Sequence, residues 1–166
     1  MGMVGNFFRT DEATVQRLRD GKLSLTELLY DDFESVDDDC FLDIDKAWHA
    51  IHFTLSGEVW ESTDDPLSKV ILNSNLINDE DMGYGPAMLL MPNEVKDASN
   101  ALEGVSKDWF RKKFSVSNMA KNEIYPVINS EDEEEFFDYV YENFKQVVVF
   151  FEKAAQLREC ILFFIS

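Results

Sequence analysis

The sequence predicts an α/β fold, a single helix-rich domain over residues 1–166 around a small mixed central sheet. Three observations predict it. Apolar, β-forming runs stand at the start ("GMVGNFF"), middle ("GPAMLLM") and end ("ECILFFIS") of the chain. Helical periodicities and caps fill the stretches between them. A chain of 166 residues, 45% hydrophobic with 14 Phe, is long and apolar enough to bury one core.

The opening run reads as the first strand. Thr10 can cap a helix through Val15 and Leu18 that stops at Gly21. Ser24 and Glu27 have capping-box spacing ahead of "LTELLYDDF". Glu34 to Asp39 is polar and reads as an exposed loop. Asp43 is the expected N-cap of a helix reaching about Leu55, ended by Ser56-Gly57 because glycine readily takes the left-handed conformation there. Asp65 and Pro66 open another short helix. "NSNLINDEDMGYG" is polar and reads as irregular, and "GPAMLLM" as the second strand.

Pro92 opens a helix over Glu94 to Leu102, ended by Gly104; Ser106 caps "KDWFRKKF"; Ser115 or Ser117 caps a short turn before "NEIYP". Ser130 and Glu133 form a second capping box. The longest element follows, with Phe137, Val140, Phe144, Val147 or Val148, Phe151 and Ala154 forming a wide core-facing stripe. "ECILFFIS" closes the chain as a third strand, and its unbroken apolar run predicts burial on both faces and a central position.

Charge bounds the function. With 33 acidic against 15 basic residues the formal net charge is −18, which repels nucleic-acid phosphates and anionic lipid heads. The acidity is clustered at Asp31-Asp32, Asp37–Asp39, Asp64-Asp65, Asp79–Asp81 and Glu131–Glu135. No cluster has the spacing of a calcium loop. Such a surface keeps a chain in solution, and it also suits capture of a basic protein partner. No signal peptide or bilayer-length apolar run is expected, and Cys40 and Cys160 form no C-x-x-C pair, which together point to the cytoplasm.

Familiar catalytic motifs are missing. There is no P-loop, no G-x-G-x-x-G and no G-x-S-x-G. Both histidines lie in "LDIDKAWHAIHFTLSG", at His49 and His52. On a helix, Ile44, Trp48, Ile51 and Leu55 form an apolar stripe with His52, Asp45 and His49 along its edge. Asp45 lies one turn from His49, within hydrogen-bonding reach, and that contact would raise the imidazole pKa. Three roles compete for the trio: a structural one, a ligand pocket using the imidazoles for proton transfer, and a zinc site with an acidic third ligand. The H-x-x-H spacing lacks the glutamate of H-E-x-x-H, so no metal and no cofactor is assigned. Tyr84 in "GYGP" could project over a cleft, though the stretch also reads as a stiff turn. Glu123, among apolar neighbours in "NEIYP" beside Tyr125, could be drawn inward to meet a histidine.

"LDIDKAWHAIHFTLSG", "GYGPAMLLMPNEV" and "FRKKFSVSNMAKNEIYP", in this order, resemble the YfbM-like family of bacterial domains of unknown function. "MGMVGNFF" and "AAQLRECILFFIS" resemble that family's two ends, so the likeness covers nearly the whole chain. Its motif positions here are Asp45, Lys46, Trp48, His49, His52, Gly83, Tyr84, Gly85, Pro86, Glu123, Tyr125 and Pro126. The resemblance implies the YfbM-like fold and a bacterial, cytoplasmic setting, and it implies no reaction. One departure is Met91 before Pro92, where the family pattern has a polar cap such as threonine; this weakens the cap by roughly 1 kcal/mol.

The resulting expectation is a non-enzymatic, acidic binding protein, immunity-like or inhibitor-like, against a basic partner. The alternative is a small-molecule or enzymatic pocket bordered by Asp45, Trp48, His49, His52, Tyr84, Glu123 and Tyr125.

Overall fold

A computed structural model describes residues 2–31, 37–127 and 132–166. Five strands form one sheet in the order β2-β1-β5-β4-β3, with β1 at Gly5–Thr10, β2 at Phe41–Asp43, β3 at Leu76–Asp81, β4 at Pro86–Leu90 and β5 at Cys160–Ile165. The α/β class stands, but every pairing is antiparallel, so the sheet is not mixed. The C-terminal run does take the central place, and its alternation shows why. Ile161, Phe163 and Ile165 point into one core, while Cys160, Leu162 and Phe164 point into the other.

The larger core is packed by α2 (Trp48–Ser56), α3 (Pro92–Glu103), α4 (Lys107–Lys113) and α6 (Glu133–Leu157), with Val116 and Met119 of the short α5 (Val116–Lys121) joining them. Phe137, Val140, Phe144, Val147, Phe151 and Ala154 of α6 are all buried there, as their spacing requires. On the opposite face, α1 (Glu12–Arg19) packs Val15 and Leu18 against Phe8, Leu89 and Leu162. α5 leads into the "NEIYP" turn. No described helix is long and apolar enough to cross a membrane.

Two strands escape the sequence reading because they are edges. β3 is the polar "LINDED", with only Ile77 buried, and its charges blunt an edge that would otherwise invite pairing. β2 is three residues long and follows a 3-10 turn at Asp38–Cys40. Of the expected loop before it, residues 34–36 lie outside the described residues, and Asp37 caps the 3-10 turn through the Asp39 N–H.

Several caps shift by a residue or two. Asp11, not Thr10, caps α1, accepting from the Thr14 N–H, because Thr10 is still pairing in β1. Both arms of the Ser24–Glu27 box form, at 2.8 and 3.0 Å, but they open one turn of π-helix at Glu27–Asp31. The Asp65-Pro66 start gives only a 3-10 turn, Pro66–Lys69. Ser106 and Ser115 cap α4 and α5. Asp132 caps α6; Ser130 lies outside the described residues. Met91 offers no side-chain cap to α3, yet the Glu94 carboxylate accepts the Met91 N–H at 2.9 Å, so half of a capping box survives.

Candidate functional site

The site is organised by how α2 begins. Asp43 belongs to β2, and its carboxylate accepts the Asp45 N–H at 2.7 Å. Asp45 then sits at φ 49°, in the left-handed region, opening a 3-10 turn over Asp45–Ala47 before α2 proper. The expected one-turn spacing from Asp45 to His49 therefore fails. Asp45 is exposed, and its carboxylate accepts from the Tyr139 hydroxyl on α6 at 2.7 Å. The same hydroxyl accepts the Lys46 N–H, and burial together with the Asp45 contact pushes the phenol pKa up.

From Trp48 onward α2 is buried nearly all round. Ile44, Trp48, Ile51 and Leu55 are core, as the stripe predicts, but His49 and His52 are buried as well, at 0% and 1% exposure. They sit inside the core rather than along its edge. The His49 Nδ1 accepts the Tyr125 N–H at 3.0 Å, so its proton must lie on Nε2, which donates to the Val59 carbonyl at 2.8 Å. His52 Nε2 meets the Glu61 carbonyl at 2.9 Å. Burial lowers both pKa values, that of His52 to about 4, and the carbonyl contacts only partly oppose the shift. The expectation that Asp45 raises the His49 pKa is overturned.

Two imidazoles three residues apart on α2 thus hold two carbonyls two residues apart in the following loop. The residue between those carbonyls is Trp60. Its ring folds back over His49, with centroids 4.3 Å apart and planes inclined at 38°. His49 also stacks on Trp48 at 4.7 Å and 7°, Trp48 and Trp60 meet each other at 6.1 Å, and Trp48 stacks on Tyr125 at 6.2 Å and 26°. The Trp48 indole N–H donates to the Met3 carbonyl, and the Tyr125 hydroxyl accepts the Met3 N–H, both at 3.1 Å. Gly5 lets α2 approach β1, since a Cβ there would stand 2.7 Å from the Trp48 Cβ.

The structure therefore gathers Trp48, His49, His52 and Tyr125 around one loop and leaves the other candidates outside the cluster. Tyr84 is 53% exposed on the β3–β4 hairpin, where its N–H donates to the Ile165 carbonyl. The Asp81 carboxylate accepts from Gly83 and Gly85 there, so "GYGP" is the stiff turn. Glu123 is exposed, not drawn inward, and sits at φ 55° in the turn after α5; Ile124 takes the buried place. Glu123 and Tyr125 do line an open groove of about 470 Å³ with Met3, Trp60, Ala120, Ile124, Pro126 and Val127. Neither histidine lines it, so the pocket reading loses its imidazoles. Among the described residues no three His, Cys, Asp or Glu side chains converge as metal ligands.

Trp60 is the residue that sequence reasoning misses. It is 58% exposed although its ring packs against His49 and Trp48. It lies in no helical or strand period. The one available signal is an isolated tryptophan three residues beyond a helix-ending glycine, between Glu58 and Glu61.

A family model described as "Domain of unknown function (DUF1877)" matches residues 1–164. Protein YfbM of Escherichia coli (strain K12) is 29% identical over 136 residues, covering 80% of this chain and 78% of that protein. The crystal structure of a protein of unknown function, YfbM from Escherichia coli, superposes with a TM-score of 0.74 at 24% identity, covering 98% of this chain and 99% of that one. At that identity the superposition speaks for the fold.

Proposed function

The chain belongs to the family described as a domain of unknown function, DUF1877, and from that premise we propose that it is a non-enzymatic binding protein for a basic protein partner. The observation that carries the reading is the charge, −18 on 166 residues, which steers cationic surfaces inward and rejects anionic ones. An immunity-like or inhibitor-like role suits such a surface. The site chemistry agrees with it, because each imidazole is spent on holding backbone, and a general base must reach a substrate proton. The reading sets the protein in the bacterial cytoplasm, where its free cysteines stay reduced.

Affinity capture from a bacterial lysate tests this, followed by titration of the captured protein in purified form at about 50 and about 500 mM salt. The expected partner has a basic pI, and its affinity falls steeply as salt rises. An acidic partner, or an affinity indifferent to salt, would overturn the reading.

A further inference from the structure

We propose that the basic partner docks in the groove beside the aromatic column, laying one lysine or arginine side chain along the exposed face of Trp60 with its charge turned towards Glu123. The inference rests on the reading of the chain as an acidic binding protein and names the surface that does the binding. Three features of the groove select a cation. One exposed wall is an indole, the side chain whose face attracts cations best. Tyr125 and Pro126 give that cation's aliphatic stem an apolar floor. Glu123, exposed and lining the same groove, offers the counter-charge.

Trp60 is also held in place before anything binds. The carbonyls on either side of it are fixed by His49 and His52, and His49 backs its ring. A pre-ordered indole spares the entropy of immobilising it on association. The turn carrying Glu123 is tied as firmly, through its own N–H to Ala120 and through Tyr125 to His49. An anionic segment would meet the net charge of the whole chain, and a purely apolar one would leave Glu123 desolvated without a partner.

The probe is a short capped peptide of lysine, arginine and glycine, with two control peptides in which glutamate or norleucine replaces the cations. Binding is followed by NMR through the Trp60 indole N–H, assigned from a Trp60→Phe variant. The cationic peptide should shift that signal, and the controls should not. Affinity, measured by calorimetry so that a variant without the indole can also be read, should fall about fivefold in Trp60→Leu, the size of an exposed cation–π contact, and about threefold in Glu123→Gln, the size of an exposed ion pair. Glu152→Gln, an exposed charge outside the groove, should change little. Because Glu123 is exposed, its variant keeps the test decisive even if Trp60→Leu loosens the loop. Equal affinity in wild type and both groove variants would overturn the proposal, as would norleucine binding as well as the cations. In that case salt-sensitive binding of the cationic peptide would leave the acidic-surface reading intact. A wild type that ignores the cationic peptide at low salt would overturn the groove, and the captured partner's charge would decide the broader reading separately.

Discussion

Across 76 residues of chain, the backbone N–H of Tyr125 donates to Nδ1 of His49 at 3.0 Å. The bond joins α2 to the turn after α5 and fixes the imidazole tautomer, because the nitrogen that accepts cannot also carry the proton. His49 thereby becomes a two-ended fastener, taking Tyr125 at one nitrogen and Val59 at the other. Its ring packs against both Trp48 and Trp60, which also touch each other.

His49→Phe should show how much of this is hydrogen bonding. The aromatic ring keeps the stack, while the Val59 carbonyl and the Tyr125 N–H lose their partner. Leaving two such groups unpaired should cost about 2–4 kcal/mol. Urea denaturation followed by circular dichroism reads it, and a loss under about 0.5 kcal/mol would mean that water replaces the imidazole at both ends.

Much of this architecture is legible in the sequence, and the exceptions share a cause. The unbroken Cys160–Ile165 run marks the central strand, because only a strand covered on both faces is apolar at every position. The α6 stripe is equally direct. The "DKAWHAIH" segment stands out as the chain's densest constellation, yet its partners are not readable from it. Both histidines bond backbone carbonyls in a loop, and backbone groups carry no residue-type signature. Asp45 misleads because its left-handed backbone breaks the helical spacing on which the i, i+4 argument depends. Trp60 is invisible to periodicity because the loop that holds it has none.

Acid should destabilise the protein through His52. Its pKa is lowered from 6.5 to about 4 by burial, so the unfolded chain takes up a proton that the folded chain refuses. The histidine contribution is therefore fully present above pH 6.5 and is lost progressively as the pH falls to about 4, by up to about 3 kcal/mol. His49, also lowered, acts in the same direction. The carboxylates titrate nearby, so the comparison is with His52→Gln, whose amide can still donate to the Glu61 carbonyl. The variant should show a flatter dependence of stability on pH between 6.5 and 5 in parallel denaturation series. Superimposable curves would place the acid sensitivity elsewhere.

The last prediction concerns an ion pair on the same face of β1 as its core phenylalanine Phe7, two residues along the strand. Arg9 pairs in register with Ile161 of β5, and its side chain is only 6% exposed. Its guanidinium donates to Glu159 at 2.6 Å and to the Asp39 carbonyl at 3.2 Å, tying the start of β5 to the 3-10 turn before β2. Glu159 keeps 21% of its side chain in solvent, so the pair is not fully desolvated. Removing one partner from a buried pair typically costs about 3–5 kcal/mol; with this much exposure on the acid, Glu159→Leu should cost about 2–3 kcal/mol. Much of that loss reflects Arg9 left charged and unpaired, so the double variant Arg9→Met, Glu159→Leu should recover most of it. A thermal-denaturation cycle over the two singles and the double variant separates the contributions. Additive losses would show that the two side chains act independently, with the carbonyl of Asp39 sufficient to hold Arg9.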